Sequence, residues 1–586
     1  MLTALVCLSL SMMQPPASPN PDAVDWIKAH SFAFDTVEAG GSLKDLEPLR
    51  KMIGDARIVS LGEPTHGTRE AFQMKHRLLE FLATEMGFTI FSIEASMPES
   101  YRLNDYVLKG VGNPEELIGG MYFWTWNTQE VLAMVKWMRE FNAAGKGPVQ
   151  FTGFDMQFPQ VAGENALSYL KAHAPELAME WTPIAADAGR IQAAPYGATF
   201  GVVTGTVPAD AAAGKKLVYS GWIRTKDLKN GRAGLWWRCD LADGSVGAFD
   251  NMQDRGPTGT SEWTRYEIAF EVPKDTKNIN FGVLMPGEGE AWFDGLEIRL
   301  DDQAYAPADL DLDFEAEDFK GFYTPSAGYA YTKDADAKSG KRSAKLASSA
   351  KEEPPKADAS EVRGRVEAFV VKFQAARDEL AKKGGAKETD WAIQNARIVG
   401  QYAKMMQAMK EPALGNVRDD SMAANVKWIL DQNPGAKIVL WAHNGHVSKG
   451  AIWGQRWMGT ELDKMYPGQM VVMGFTTGKG EYRAIASGKG GLSTHKLAAP
   501  PPGSVEWHLA ALGQPRLIFD PRGAVPNDPA TAWLLTSAPI RSIGAMSMEQ
   551  QFFPHVPKAS WDLIVHIEET TPSRMIGQQA AGKDGN

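Results

Sequence analysis

At 586 residues the chain is too long for one simple core, and a prior of roughly 150 residues per domain predicts several units. With 44% hydrophobic and 23% charged residues it is composed like an ordinary globular protein, and a formal charge of -10 argues against nucleic acid or an anionic membrane as its main partner. The two cysteines, Cys7 and Cys239, supply neither a disulfide framework nor a cysteine-ligated metal site.

Residues 1–20 read as a signal-like segment: an apolar run from Leu2 to Met13 gives way to Pro, Ala and Ser, although no positive charge precedes it. The run is too short to span a membrane, so the expectation is a secreted or periplasmic protein without a stable membrane span. Over residues 21–190 short apolar strands alternate with helical patterns. "ARIVSLG" is followed by "TREAFQMKHRLLEFLATEMGF", which stops at Gly87. "TIFSIEA" then precedes "NPEELIGGMYFWTWNTQEVLAMVKWMREFN", which is largely helical, and "PVQFTGFD" is a further strand. Such alternation predicts parallel strands joined by helical crossovers.

Residues 191–350 change texture to short β-rich runs punctuated by Gly, Asp and Asn, the pattern of an antiparallel sandwich. The last of these, "LDLDFEAEDFKGFYTPSAGYAYTKDADAKSGKRSAKLAS", either completes that sandwich or begins a second one. From 351 to 575 helices resume and the strand–helix rhythm returns in "AKIVLWAHNGH", "QMVVMGFTTG", "PRLIFDPRG" and "WDLIVHIEETTP"; residues 576–586 form a flexible tail. The predicted fold class is therefore α/β, a mostly parallel sheet flanked by helices, interrupted by an inserted β-sandwich.

In an open parallel sheet, ligands bind beyond the carboxyl ends of the strands. Four strands end in polar groups here: "IVSLG" at Glu63 and His66, "TIFSIE" at Glu94, "QFTGFD" at Asp155, and "IVLWAHNGH" at His443 and His446. Three of only ten histidines thus fall at strand ends. Glu63 as a helix cap and His443/His446 as a packed pair are the plainer alternatives, each adequate singly; convergence on one sheet edge favours a catalytic site. Glu63-X-X-His66 suits general-base catalysis, with the carboxylate fixing the imidazole tautomer, and Pro64 between Gly62 and Gly67 is expected to make the tight turn that aims both. No Gly-X-Ser-X-Gly elbow occurs and Cys239 has no nearby histidine in sequence, which disfavours a covalent mechanism. A divalent zinc or manganese ion held by Glu63, His66, Glu94, His443 and His446 is the rival arrangement.

Several stretches together resemble one family. "LGEPTHGTREAFQMKHRLLEFLATEMGF", "IEA", "GFDMQ", "RDDSMAANVKWIL", "WAHNGHVSKG", "MGTELDKMYPGQMVVMGFTTGKGEY" and "WDLIVHIEETTP" are similar, in that order, to the erythromycin esterases. The resemblance implies a metal-independent hydrolase of esters, typified by opening of a macrolide lactone, so the expected partner is a small-molecule ester and the expected cofactor is none. It implies His66 as general base with Glu63 orienting it, and Glu94 and His443 as further catalytic positions. Lys75 stands where several members carry arginine, with Arg77 two residues on; these, Asp155 and His446 are the expected substrate-binding groups. The β-rich insertion resembles jelly-roll, carbohydrate-binding-like modules, which implies a carbohydrate partner through Trp222, Trp236, Trp237, Trp263 or Trp292, although filling the sandwich core is the plainer use of most of these rings. Asp250, Asn251 and Asp254 fit calcium or a simple turn equally. A metal-dependent hydrolase or peptidase, and a glycan-binding protein with an inactive α/β domain, remain the alternatives.

Overall fold

A computed structural model describes residues 18–191, 200–241, 246–307, 309–322, 329–348, 357–451, 455–487 and 491–576. Most of the signal-like segment and nearly all of the expected tail lie outside the described residues. Cα packing divides the chain into two compact units, one built from the residues up to Val161, Ala408–Ser487 and Thr494–Ile576, the other chiefly from Ala162–Gln407. No helix among the described residues is long and apolar enough to cross a membrane.

The first unit is α/β. The main path of its sheet runs in the order Ser31–Ala33, Arg516–Phe519, Leu563–Thr570, Met470–Ile485, Ile58–Leu61, Ile438–Trp441, Ile90–Ser96, Gln150–Asp155. The last six are mutually parallel; Arg516–Phe519 runs antiparallel to them, and Ser31–Ala33, at the edge, pairs antiparallel with Arg516–Phe519 and so runs in the direction of the six. Ile58–Leu61 and Ile438–Trp441 are buried on both faces, which is why they read as nearly continuous apolar runs, interrupted only by Ser60, rather than alternating ones. The helix Arg69–Met86 returns across the sheet with nearly its whole central stretch buried, and Gly87 closes it in the left-handed conformation (φ 71°). The stretch expected to be largely helical is split into Pro114–Gly119 and Gln129–Ala143. Thr128 caps the second helix, its Oγ1 accepting from the Val131 amide at 3.3 Å, and the intervening Tyr122–Trp126 segment is set free to line a cavity.

The second unit contains two antiparallel sheets with one apolar core between them. The four-stranded sheet runs Phe200–Val207, Thr276–Pro286, Gly234–Leu241, Val246–Asp250, and the main path of the six-stranded sheet runs Tyr329–Asp334, Ser343–Ser348, Glu288–Leu300, Lys216–Lys229, Gly259–Glu271. Tyr219 and Phe293 from the second sheet pack with Trp237 and Phe281 from the first. Ser343–Ser348 pairs directly with Glu288–Leu300, so the late strand-like stretch joins this sandwich instead of starting another. Helices on both sides of the β-rich residues belong to the same unit: Trp181, fully buried, lies 4.8 Å from Phe369 between ring centroids, and Tyr169 Oη is 2.5 Å from Thr389 Oγ1. Trp236, Trp237 and Trp292 are buried. Lys338 caps the ring of Trp222 at 4.4 Å, and Arg224 and Lys345 cap that of Trp292 at 5.0 and 4.7 Å. Asp250 accepts from the Met252 amide and from Arg255 at 2.6 Å, the arrangement of an ion-paired turn.

Candidate active site

The strand register places Leu61, Trp441 and Ile93 side by side, so the residues that follow them emerge together at the carboxyl edge of the sheet. Glu63 leaves its strand into complete burial. Its Oε1 accepts from His66 Nδ1 at 2.6 Å, and its Oε2 accepts from Trp441 Nε1 at 2.6 Å and pairs with the buried Lys75 ammonium. Burial alone would favour the neutral acid; the Lys75 charge and the His66 hydrogen bond outweigh it and hold the carboxyl below its usual range. An ionised Glu63 at Nδ1 fixes the proton there and leaves His66 Nε2 as an acceptor facing the cavity. Lys75 itself is drawn down to about 8, chiefly by burial and in spite of Glu63.

The two glycines of this turn are required by close approach. A β-carbon on Gly62 would collide with the side chain of Asn444, and one on Gly67 with the backbone of Arg483. Asn444 cannot yield easily, because its side-chain amide donates to Phe475 O at 2.7 Å and accepts from the Phe475 amide at 3.0 Å. The expectation of a glycine-enabled tight turn is thus replaced by a packing reason.

His443 is the neutral partner of His66, with ring centroids 5.2 Å apart. Its Nδ1 accepts from the Gly445 amide at 3.2 Å, which puts its proton on Nε2, and Nε2 is buried with no hydrogen-bond partner among the described residues. Burial, and then the neighbouring His66 and His446 imidazoles, pull this imidazole down to about 3. It is a fixed N–H donor at neutral pH.

Glu94 joins the two halves of the site. Its Oε2 accepts from the His443 amide at 2.9 Å and its Oε1 from Arg418 Nη2 at 2.7 Å. Burial opposes its charge, but His446 and Arg418 hold it well below the usual carboxylate range. Asp155, fully buried, grips the other side of the Arg418 guanidinium at 2.7 and 3.2 Å. His446 donates from Nδ1 to Asp419 Oδ1 at 2.8 Å, and the Met458 amide donates to the same oxygen at 2.9 Å. Burial works against the His446 charge, yet Asp419 and Glu94 raise it above an ordinary histidine.

A cavity of about 430 Å³ opens on these groups, lined by His66, Glu94, Arg418, His443 and His446 at its polar end. Phe123, Trp126, Trp457, Met548 and Phe553 supply much of the remaining wall. Lys75 and Asp155 do not reach it; they hold Glu63 and Arg418 from behind. Arg77, expected to bind substrate, points elsewhere: its guanidinium pairs with Asp45 at 2.5 Å and donates to Thr36 O and Ser42 O. Among the described residues no three His, Cys, Asp or Glu side chains are grouped so as to hold a metal ion. Arg418 and Asp419, which open the "RDDSMAANVKWIL" stretch, and Trp441, in "IVLWAHNGH", are not singled out as site residues by the sequence reading. Asn416 followed by acidic residues and an apolar helix reads as a cap, and that is how Asn416 is used, its Oδ1 accepting from the Asp419 amide.

The erythromycin esterase family model matches residues 83–216 and 323–570. Erythromycin esterase type II of Escherichia coli is 34% identical over 132 residues, 22% of this chain and 31% of that protein. The curated relatives it matches are aligned over about a third of their own length. Among solved structures, a succinoglycan biosynthesis protein superposes with TM-score 0.59 at 20% identity, covering 94% of this chain and 98% of that one. A mutant of the erythromycin esterase EreC in its open conformation superposes with TM-score 0.54 at 13% identity, covering 94% and 99%. Identities this low speak for the shared fold alone.

Proposed function

The chain belongs to the erythromycin esterase family, and from that premise we propose that it hydrolyses a carboxylic ester or lactone by direct attack of water activated at His66. The single observation that carries this reading is the buried Lys75–Glu63–His66 chain, which leaves Nε2 as a proton acceptor on the cavity wall. A water lodged against Nε2 gives up a proton as its oxygen adds to the carbonyl carbon, a contribution of about 10²–10⁴ in rate. The carbonyl oxygen gains charge in that step, and its stabilisation is assigned to the unpartnered Nε2–H of His443, whose ring lies 5.2 Å from that of His66. The volume and aromatic wall suit a compact ester with an apolar portion.

The test is hydrolysis of aryl esters, alkyl esters and macrolides by purified protein, before and after exhaustive chelation. Turnover that survives chelation supports the water-activating dyad; turnover lost on chelation and restored by zinc or manganese assigns the histidines to a metal instead. His66→Ala is expected to abolish turnover with its circular dichroism and thermal melt unchanged. A folded His66→Ala protein with full activity removes His66 from the mechanism.

A further inference from the structure

His446 has received no chemical task in the steps above, yet it lines the same cavity as His66 and His443. Its two nitrogens are engaged differently. Nδ1 is locked on Asp419, whose own position is fixed by the Met458 amide. Nε2 lies 3.3 Å from Glu94 Oε1 and 3.2 Å from Arg418 Nη1. These neighbours make opposite demands: the carboxylate wants a proton on Nε2, and the guanidinium, a donor with no lone pair, wants Nε2 as an acceptor. Both protonation states of this one nitrogen therefore have a partner in place. That is what a group needs if it is to give up a proton and recover it during turnover.

Resting on the ester-hydrolase reading, we propose that His446 is the general acid that protonates the departing alkoxide, and that Asp419 is the positioning residue that orients and charges it. The oxygen of water bonds to the carbonyl carbon as its proton passes to His66 Nε2. When the tetrahedral adduct collapses, the carbon–alkoxy bond breaks, its electron pair goes to the alkoxy oxygen, and that oxygen takes the proton from His446 Nε2. His446 is left neutral and accepts from Arg418 Nη1. His66 then releases its proton and His446 regains one, so ester and water become carboxylic acid and alcohol, and the acid, which kept water's second hydrogen, ionises to carboxylate and one proton. Two imidazole–carboxylate dyads, His66–Glu63 and His446–Asp419, thus take the two ends of the reaction, with neutral His443 between them in function.

The charged groups around His446 support this division. Asp419 and Arg418 face it from the helix Val417–Gln432, Glu94 from the end of Ile90–Ser96, and His443 from its own turn; Trp457 meets the ring edge-on with centroids 5.3 Å apart. Asp419 and Glu94 favour the imidazolium, while burial and Arg418 restrain it from being held permanently.

The experiment compares two esters of one short-chain acid, a 4-nitrophenyl ester and a simple alkyl ester. Nitrophenolate leaves without protonation, whereas an alkoxide does not. His446→Gln is expected to lower kcat/KM for the alkyl ester by about 10²–10⁴ and leave the nitrophenyl ester within a few-fold. Equal loss on both esters overturns the assignment, and retained nitrophenyl activity reports that the variant is folded. Asp419→Asn is expected to move the alkaline limb of the alkyl-ester kcat/KM profile to lower pH, because the imidazolium loses its carboxylate; an unmoved limb overturns the positioning role. A wild-type protein that hydrolyses neither ester overturns the ester reading and this assignment with it, and is told apart by that wild-type silence.

Discussion

Lys75 holds Glu63 ionised in a place that water does not reach. Its ammonium is enclosed by aromatic rings, 4.2 Å from the centroid of Trp441 and 5.4 Å from those of Phe72 and Phe475. An arginine fork would bring five donors into a pocket whose identified acceptor is one carboxylate oxygen, so a lysine is the better match to this enclosure. Lys75→Met keeps the volume and removes the charge, which leaves a buried carboxylate unpaired; the expected cost is about 3–5 kcal/mol of stability, read from urea unfolding. The same change raises the pKa of Glu63, because the charge that depresses it is gone. The acid limb of activity should therefore move to higher pH, and a limb that stays in place refutes the electrostatic role. The sequence indicated Glu63, His66, Glu94, Asp155, His443 and His446 because each follows an apolar strand, and the structure brings all of them to one sheet edge. Lys75 and Arg77 were indistinguishable as letters. Two positions on a helix differ by about 200° in direction, so one points into the site and the other to Asp45.

At the level of elements, the alternation of apolar runs and helical periods was enough to foretell the parallel sheet, because a strand buried on both faces is apolar at nearly every position. What the pattern could not carry was contact between distant turns. Gly62 lies against Asn444, and Gly67 against Arg483, pairs hundreds of residues apart. Gly62→Ala is expected to cost about 1–3 kcal/mol by overpacking against a pinned side chain. Gly67→Ala should cost more, since a peptide backbone has less freedom to withdraw than a side chain. Urea midpoints at unchanged m-values measure both. Two variants within about 0.5 kcal/mol of wild type would show that the turn yields freely and that these glycines are not packing residues. The break at Tyr122–Trp126 is a related case: helical periodicity runs through it, and the Thr128 cap together with the backbone of Tyr122, at φ 65°, interrupts it to expose cavity-lining rings. The sandwich shows the converse, since Tyr329–Asp334 and Ser343–Ser348 lie far along the chain from most of the strands they join and only pairing reveals which sheet they complete.

For the molecule as a whole, buried ionisable groups set how stability responds to pH. His443 and His76, drawn down by burial to about 3 and about 4, resist protonation when folded and accept it near 6.5 when unfolded. Between those limits the unfolded chain binds more protons, so acidification below about 6.5 destabilises the fold, at a slope of roughly 1.4 kcal/mol per pH unit for each such group. Glu506 acts in the opposite direction. It is fully buried on the helix Val505–Ala510; its Oε1 accepts from the Arg541 amide at 3.0 Å, and its Oε2 has no partner among the described residues. The Arg541 guanidinium is spent on Gln551 and on the carbonyls of Thr477, Gly478 and Ala498, and burial pushes the Glu506 carboxyl up to about 7. A folded-state pKa above the unfolded value contributes stability that is full below about 4.5 and is lost as pH rises through 7. Glu506→Gln removes that loss while keeping the shape. Compared with wild type, the variant should gain about 3 kcal/mol between pH 5 and pH 8, measured as the difference in unfolding free energy at the two values. If wild type and variant change equally over that interval, Glu506 is not the group that limits stability on the alkaline side, and the unpartnered oxygen is satisfied without its proton.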